Sequence, residues 1–291
     1  MFGLLNINKS IGPTSHDVVA ACRRLLPRKT RVGHAGTLDP FASGVLVVCV
    51  GSATRLADDV ADADKQYIAQ VSFGATSTTD DLEGEITPTG SPPPAPADLQ
   101  RAASALVGRI QQTPPAYSAV HVAGQRAYKL ARAGKPVELT ARSVEVHAIE
   151  LLEFAGSTAR LRIDCGKGVY IRALARDLGR ALGCGAYCSA LTRTRIGHFT
   201  LDAAVNLNDL SPQNLPTHLL PARLAVADWP HVELGAALVA ELQLGRPIPA
   251  PAPLDGGSGV AAVDAAGRLI ALCDFDMGTS LLRPRRVFPL E

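Results

Sequence analysis

The sequence predicts an α+β protein in which strands and helices share one large unit, and a small β-rich unit closes the chain. Three observations carry that prediction. Lys65 to Phe73 and Ala159 to Cys165 alternate apolar and polar residues with a period of two, as strands with one buried face do. Tyr170 to Leu182 instead places Ile171, Leu174, Leu178 and Leu182 on one helical face and Arg172, Arg176 and Arg180 on another. Near the end, Val260 to Val263 and Arg268 to Cys273 read as two strands joined across Asp264-Ala265-Ala266-Gly267.

In chain order, Gly3 to Asn8 is a short apolar strand with Lys9 directly after it. Gly12-Pro13-Thr14-Ser15 turns the chain, with Ser15 placed to cap a helix over His16 to Leu26. Arg23, Arg24, Arg28, Lys29 and Arg31 follow, open to phosphate contact or to plain solvation. The next stretch, Val32 to Leu46, sets Gly33, Gly36, Gly44 and Pro40 around one carboxylate, Asp39. Gly33 and Gly36 permit backbone angles or close approaches that a side chain forbids, and Pro40 pushes Asp39 toward an extended conformation. The apolar run Val45 to Val50 reads as a buried strand anchoring this loop. A carboxylate on a rigid turn serves as nucleophile or base, and an Asp before Pro also serves simply to form the turn.

Tyr67 faces inward on the strand from Lys65 and, on its residues alone, reads as core packing. Gly74 to Glu85 is an acidic loop without the ligand spacing of a calcium site. After a proline-rich connector at Ser91 to Pro96, Asp98 to Ile110 reads as a helix with Leu99, Ala102, Ala103, Leu106 and Ile110 apolar. Gln125 to Lys135 is basic and interrupted by Tyr128, which suits phosphate contact and stacking as well as a plain basic helix. Gly166-Lys167-Gly168 separates strand from helix, and Gly183 ends that helix. Leu191 reads as core, Pro212 to Pro230 as irregular, and Ala236 to Leu244 as a further helix.

The 291 residues suffice for one large and one small domain, and 47% hydrophobic with 19% charged residues excludes a disordered chain. No apolar run reaches membrane-spanning length and the start lacks a basic-then-apolar leader, so a cytoplasmic protein is expected. The six cysteines lack the spacing of a secreted scaffold; Cys184 and Cys188 are close, but have no second Cys/His pair for zinc. A P-loop and a convincing dinucleotide fingerprint are also missing from the sequence. The net charge of +2 hides a division, since residues 101–200 hold 15 Lys+Arg against 6 Asp+Glu. Such a basic third either tracks phosphates or is neutralised by acidic neighbours in the fold.

The run Gly33-His34-Ala35-Gly36-Thr37-Leu38-Asp39-Pro40, with Ala42-Ser43-Gly44-Val45-Leu46, resembles the catalytic signature of the bacterial tRNA pseudouridine synthase B family. Further runs resemble its other motifs in the same order: Lys9 with Gly12 to Ser15, Lys65-Gln66-Tyr67, Gln111 to Val120, Gly166 to Arg172, and Leu191 within Ser189 to Arg193. The resemblance covers about residues 1 to 210. It implies Asp39 as nucleophile, Arg172 paired with it, and Tyr67 and Leu191 sandwiching the target uracil. It also implies Tyr170 lining the pocket near C5, His34 at the flipped nucleotide, and Lys9 supporting the loop; it does not show which group handles the C5 proton, for which Tyr170 is the candidate. The acidic loop holds one residue more than the family segment, so Asp80 and Asp81 both fit the matching position.

The implied fold is a pseudouridine-synthase-like mixed, mainly antiparallel sheet with flanking helices over residues 1–230, with a mobile RNA-binding insertion at about 112–145. By position and strand pattern, residues 231–291 resemble the family's small β-barrel-like, PUA-like RNA-binding domain. The implied reaction turns uridine 55 of the tRNA T loop into pseudouridine, by glycosidic cleavage, rotation of the base and a new bond from C5. It involves no redox change or phosphate transfer, so no cofactor or metal is expected. The implied partner is tRNA through its T stem-loop, with neither membrane nor obligatory protein partner. Whether Asp39 attacks C1′, attacks C6 or acts first as a base stays open at this level. Two rivals are an RNA-binding, tRNA-folding protein with vestigial catalysis, and a synthase for another uridine.

Overall fold

The computed structural model describes residues 1–118, 120–122, 124–134, 137–251, 254 and 258–290, without the side chains of 121, 122, 126, 128, 129, 132 and 258. The chain opens with β1 (Gly3–Lys9), α1 (Ser15–Arg24), β2 (Val32–Ala35), β3 (Ser43–Val50), α2 (Ala57–Asp62) and β4 (Lys65–Phe73). A hairpin of β5 (Ala75–Ser77) and β6 (Ile86–Pro88) leads into α3 (Pro96–Ala105) and β7 (Gly108–Gln112). Next come β8 (His121–Val122), β9 (Gln125–Arg126) and α4 (Ala127–Arg132). Then follow β10 (Arg142–Ala155), β11 (Thr158–Cys165), α5 (Ile171–Ala181), β12 (Ala186–Ile196), β13 (Phe199–Thr200) and β14 (Val205–Asn206). The last part holds β15 (His231–Leu234), α6 (Ala236–Gln243), β16 (Ile248–Pro249), β17 (Ser258–Asp264), β18 (Leu269–Asp276) and β19 (Leu281–Val287).

The main sheet has ten strands in the order β14-β1-β3-β12-β4-β11-β10-β7, with β2 on β3 and β13 on β12. Its pairs are antiparallel except β1 with β14 and β3 with β12, so it is the mixed, mainly antiparallel sheet expected. A second sheet of five strands runs β15-β17-β18-β19-β16. One face of the main sheet packs Leu5, Ile7, Tyr67, Val71, Leu161 and Ile163 against Val18 and Cys22 of α1, Leu99 of α3, and Leu174 and Leu178 of α5. The opposite face joins Leu4, Val45, Val47 and Cys49 to Val60, to Ala261, Leu269 and Leu272 of the five-stranded sheet, and to Phe288 just past β19. A third cluster lies between that sheet and α6.

β3 pairs with β12 at Ser43↔Thr192 and Gly44↔Arg193, while its far end pairs with β2 from Ala35↔Val47 to Val32↔Val50. The sheet therefore opens just past Gly44, and the loop carrying Asp39 crosses the opening. Gly44 has φ +104°, and a Cβ there would lie 2.2 Å from the Arg193 carbonyl oxygen, so the junction admits only glycine. Gly36 also has a positive φ, +75°. Gly33 needs no such freedom, against expectation: it lies within β2, where a Cβ would meet only Thr54 Cγ2 at 3.8 Å.

Two further expectations are corrected. The cap of α1 is Thr14, in a reciprocal box with Asp17, and Ser15 is the first helical residue. The helix expected over Asp98 to Ile110 covers Pro96–Ala105, because Gly108 at φ +98° turns the chain and Ile110 enters β7. By contrast β4, β11 and α5 fall where the patterns put them, and Gly183 at φ +69° follows α5.

Candidate active site

Asp39 lies on a loop whose backbone is held at every carbonyl from Gly36 to Pro40. Arg193 donates to Gly36 O at 3.0 Å and to Thr37 O at 3.4 Å. Ser15 Oγ donates to Leu38 O at 3.0 Å and accepts from Leu38 N at 2.9 Å. Ala42 N donates to Asp39 O at 3.1 Å, closing a turn with proline at its second position. Gly12 N donates to Pro40 O at 2.8 Å, and Lys9 Nζ reaches it at 3.4 Å while also holding Pro13 O at 2.9 Å. Lys9 is buried, as its expected supporting place requires. The hydroxyl of Ser15, freed from capping by Thr14, thus fastens α1 to the loop.

Arg172, on the first turn of α5, reaches the loop from the other side. Its Nε lies 2.9 Å from Asp39 Oδ2, with the arginine side chain 5% exposed and that of Asp39 34% exposed. The remaining donors are also engaged: Nη1 with Asp81 Oδ2 at 3.1 Å and Thr79 O at 3.0 Å, Nη2 with Tyr117 O at 2.9 Å. A guanidinium satisfied on all sides cannot turn away from the carboxylate. Burial pushes the Asp39 carboxyl above its ordinary pKa and the nearby Asp81 adds to this, while Arg172 and Arg193 pull it back toward the ionised form.

The two aspartates of the acidic loop that both fit the family position take different partners. Asp81, 2% exposed, pairs with Arg172. Asp80, at φ +61°, pairs with Arg176 at 2.8 Å. Arg176 also donates to Thr113 O at 2.8 Å, and Gln112 brackets Tyr170 through its backbone N at 2.8 Å and O at 3.1 Å. The segment leading to β8 is therefore fastened to two turns of α5.

Tyr67 and Leu191 lie on the neighbouring strands β4 and β12, both buried in the cluster that also holds Ile171. Burial raises the pKa of the Tyr67 hydroxyl, and the charge of Arg193 opposes the rise. Tyr170 caps α5, with the Arg142 guanidinium 5.1 Å from its ring centre. His34 stands on β2 with its ring edge-on to His16, centroids 5.1 Å apart.

The structure thus brings Asp39, Arg172 and Lys9 directly together, with Tyr67 linked to them through Arg193. Arg193, Ser15 and Gln112 are the members that sequence reasoning missed. Arg193 stood inside a quoted motif, but nothing in its spacing separated it from the other arginines. Only part of the basic third is drawn inward: Arg172 and Arg176 pair with the acidic loop and Arg193 is buried, whereas Arg101, Arg162 and Lys167 keep side chains 79%, 45% and 67% exposed. Ala119 and Lys135 of the basic insertion lie outside the described residues, as do the side chains of Arg126, Tyr128, Lys129 and Arg132. All six cysteines are buried thiols. Among the described residues no helix is long and apolar enough to cross a membrane, and no group of three or more His, Cys, Asp or Glu converges as a metal site.

The mixed sheet that carries this carboxylate and its buried guanidinium places the chain, by fold and family, among the pseudouridine synthases. A structure of an H/ACA RNP bound to a substrate RNA containing 2′-deoxyuridine is similar to this chain at TM-score 0.77 and 27% identity, covering 99% of this chain and 86% of that one. A Cbf5-Nop10-Gar1 complex is similar at TM-score 0.76 and 28% identity, covering 99% and 85%. Residues 23–171 match the family model of the TruB family pseudouridylate synthase N-terminal domain, and the chain belongs to that family. Residues 172–226 match the tRNA pseudouridylate synthase B C-terminal domain, and 229–289 the C-terminal model of tRNA pseudouridine synthase II. The tRNA pseudouridine synthase B of Mycobacteroides abscessus is 45% identical over 276 residues, 93% of this chain and 91% of its own. That of Syntrophomonas wolfei is 40% identical over 299 residues, covering 100% of both.

Proposed function

We propose that this chain converts uridine to pseudouridine in the T loop of tRNA, at position 55, with Asp39 as nucleophile. The observation that carries the reading is the contact of 2.9 Å between Arg172 Nε and Asp39 Oδ2, in which the cation is buried and the carboxylate keeps an open side. Arg172 holds Asp39 ionised and oriented, so that the exposed oxygen meets a nucleotide taken out of its stack. The reaction breaks the bond from C1′ to N1 and forms one from C1′ to C5. The C5 proton leaves and N1 gains one, so the atoms balance without an oxidant, a reductant or a second substrate.

Tyr67 and Leu191 sandwich the uracil while it is detached. Tyr170 lines the pocket and is the candidate for handling the C5 proton; Tyr170→Phe at the wild-type single-turnover rate would remove its hydroxyl from that role. His34 contacts the flipped nucleotide, and Lys9 keeps the loop in place. Residues 1–230 form the catalytic domain, with an RNA-contacting insertion at about 112–145, and 231–291 a PUA-like RNA-binding domain. The protein acts in the cytoplasm, without an obligatory protein partner. The testing experiment incubates purified chain, or Asp39→Asn, with a T stem-loop RNA and assays pseudouridine at each uridine. Product at the single T-loop position from wild type alone is expected; RNA bound by wild type without product would remove the enzyme assignment for that substrate.

A further inference from the structure

At the opening between β3 and β12 sits a guanidinium to which sequence assigned no task. Arg193 is 1% exposed, the largest fully buried side chain among the described residues. It is the register partner of Tyr67 on β4 and of Gly44 on β3. Its Nε donates to Val45 O at 2.8 Å, Nη2 to Gly36 O at 3.0 Å and Nη1 to Thr37 O at 3.4 Å, and Tyr67 is its cross-strand neighbour on β4. Among the described residues it forms no ion pair.

Burying a cation without a carboxylate costs several kcal/mol, and an apolar side chain of similar volume would fill the space without that cost. The Val45 carbonyl exposed by the divergence of the strands calls for a donor, but a neutral amide would serve. What distinguishes Arg193 is reach: one rigid fork spans β3, the loop of Asp39 and the strand of Tyr67. We propose that Arg193 is a positioning residue of the reaction, tying the loop that carries Asp39 to the strand that carries Tyr67 so that carboxylate and base-stacking ring keep their spacing. The inference rests on the proposed roles of Asp39 and Tyr67.

The charge has a second consequence. Asp39 is faced by Arg172 from α5, Asp81 from the acidic loop, Lys9 from β1, Tyr67 from β4, and Arg193 and Cys188 from β12. Of these, Arg172, Arg193 and Lys9 are the cations, and Arg193 acts on Asp39 through the interior without contact. Neutralising it therefore raises the pH at which Asp39 becomes ionised.

The test measures single-turnover pseudouridine formation at saturating T stem-loop RNA, from about pH 5 to 9, for wild type, Arg193→Gln and Arg193→Lys. RNA affinity and thermal unfolding are followed in parallel. For Arg193→Gln the acid limb moves to higher pH and the plateau falls several-fold, with RNA affinity unchanged. Arg193→Lys keeps the wild-type limb but runs several-fold slower at every pH, because an ammonium cannot span three carbonyls. A folded Arg193→Gln with a wild-type plateau and an unshifted acid limb overturns the inference. Should that variant fail to fold, Arg193→Lys decides: a slower plateau at wild-type RNA affinity upholds the inference, and a wild-type plateau overturns it. A wild type that makes no pseudouridine would sink the proposed reaction itself, whereas an active wild type with unaffected variants sinks only the role of Arg193.

Discussion

On the ten-stranded sheet and the loop and helix packed on it, Lys9, Lys65, Asp81, Arg172 and Arg193 all lie buried, whereas in the five-stranded sheet the buried charge among the described residues is Asp264. Asp264 is held by its own turn, accepting from Ala266 N at 3.0 Å and Arg268 N at 2.9 Å. Arg246, Arg268 and Arg283 of that second region stay at the rim, 62%, 54% and 51% exposed and each beside a carboxylate, while Arg286, 24% exposed, pairs with Asp59 of α2. Its interior is apolar, built from Val232, Leu234, Ile270 and Leu282. An apolar interior is the more stable way to fill a sheet, so buried ions concentrated around one loop mark the place where chemistry sets the composition.

The largest effect follows from breaking the ion network at its centre. Arg172→Gln leaves Asp81 buried beside a neutral group and Asp39 without its clasp. Loss of a preorganised charge partner in the site is expected to slow pseudouridine formation by roughly 10²- to 10³-fold. The uncompensated carboxylate lowers stability by about 3–5 kcal/mol, read by denaturant unfolding. A rate within threefold of wild type would show that Asp39 does not depend on the guanidinium.

A change of similar size in stability, without one in chemistry, is expected on the other side of the comparison. Leu272 is fully buried in the cluster shared by both sheets, beside Val47 and Phe288. Leu272→Ala removes about 2–5 kcal/mol of stability through the cavity it leaves, while single-turnover rate per folded molecule stays at the wild-type value. The same shared cluster predicts that residues 1–230 alone expose Leu4, Val45 and Val47 and aggregate on concentration. A stable, monomeric fragment would show the two sheets to be independent.

Lys9 gives a smaller, pH-dependent effect. Burial pulls its ammonium down to about 8, with Asp39 opposing. Below that pH three N–H donors meet the carbonyls of Ser10, Pro13 and Pro40; above it one donor is lost. Turnover is therefore expected to fall several-fold as pH rises through about 8. Stability runs the opposite way. The folded state gives up this proton before the unfolded one does, so the contribution of Lys9 improves between about 8 and 10.5. Lys65 titrates in the same range while holding the carbonyls of Ala61 and Ala63 at the end of α2, so Lys9→Met is the variant that separates the two. An unchanged alkaline limb in that variant would acquit Lys9.

What was legible in the sequence divides along the same line. The strands at Lys65 and Thr158 and the helix at Ile171 could be read because one apolar face imposes a period. The loop around Asp39 could be read because its glycines and proline sit together, and its match to a family signature named the carboxylate. Arg193, Gln112 and Ser15 were hidden because their environment is made by chain segments far apart in sequence: Arg193 holds Val45 across 148 residues, Gln112 holds Tyr170 across 58, and Ser15 holds Leu38 across 23. Local pattern reports which face is apolar, but not which charge has been carried inside it. The helix drawn too far beyond Ala105 failed for a local reason, since Ile110 satisfies a helical period and a strand equally well.

The smallest expected effect tests whether the rim charges of the second region matter to its fold. Arg246 pairs with Glu241 at 3.1 Å, with side chains 62% and 45% exposed. Water screens both ends and the long side chains lose rotamer freedom in pairing, so Arg246→Ala should change stability by about 0.2–1 kcal/mol, and less at high salt. A loss of several kcal/mol, insensitive to salt, would mean that ions carry the second sheet as they carry the site in the first. The contrast between the two regions would then reflect the position of charges in the chain rather than the demands of chemistry at Asp39.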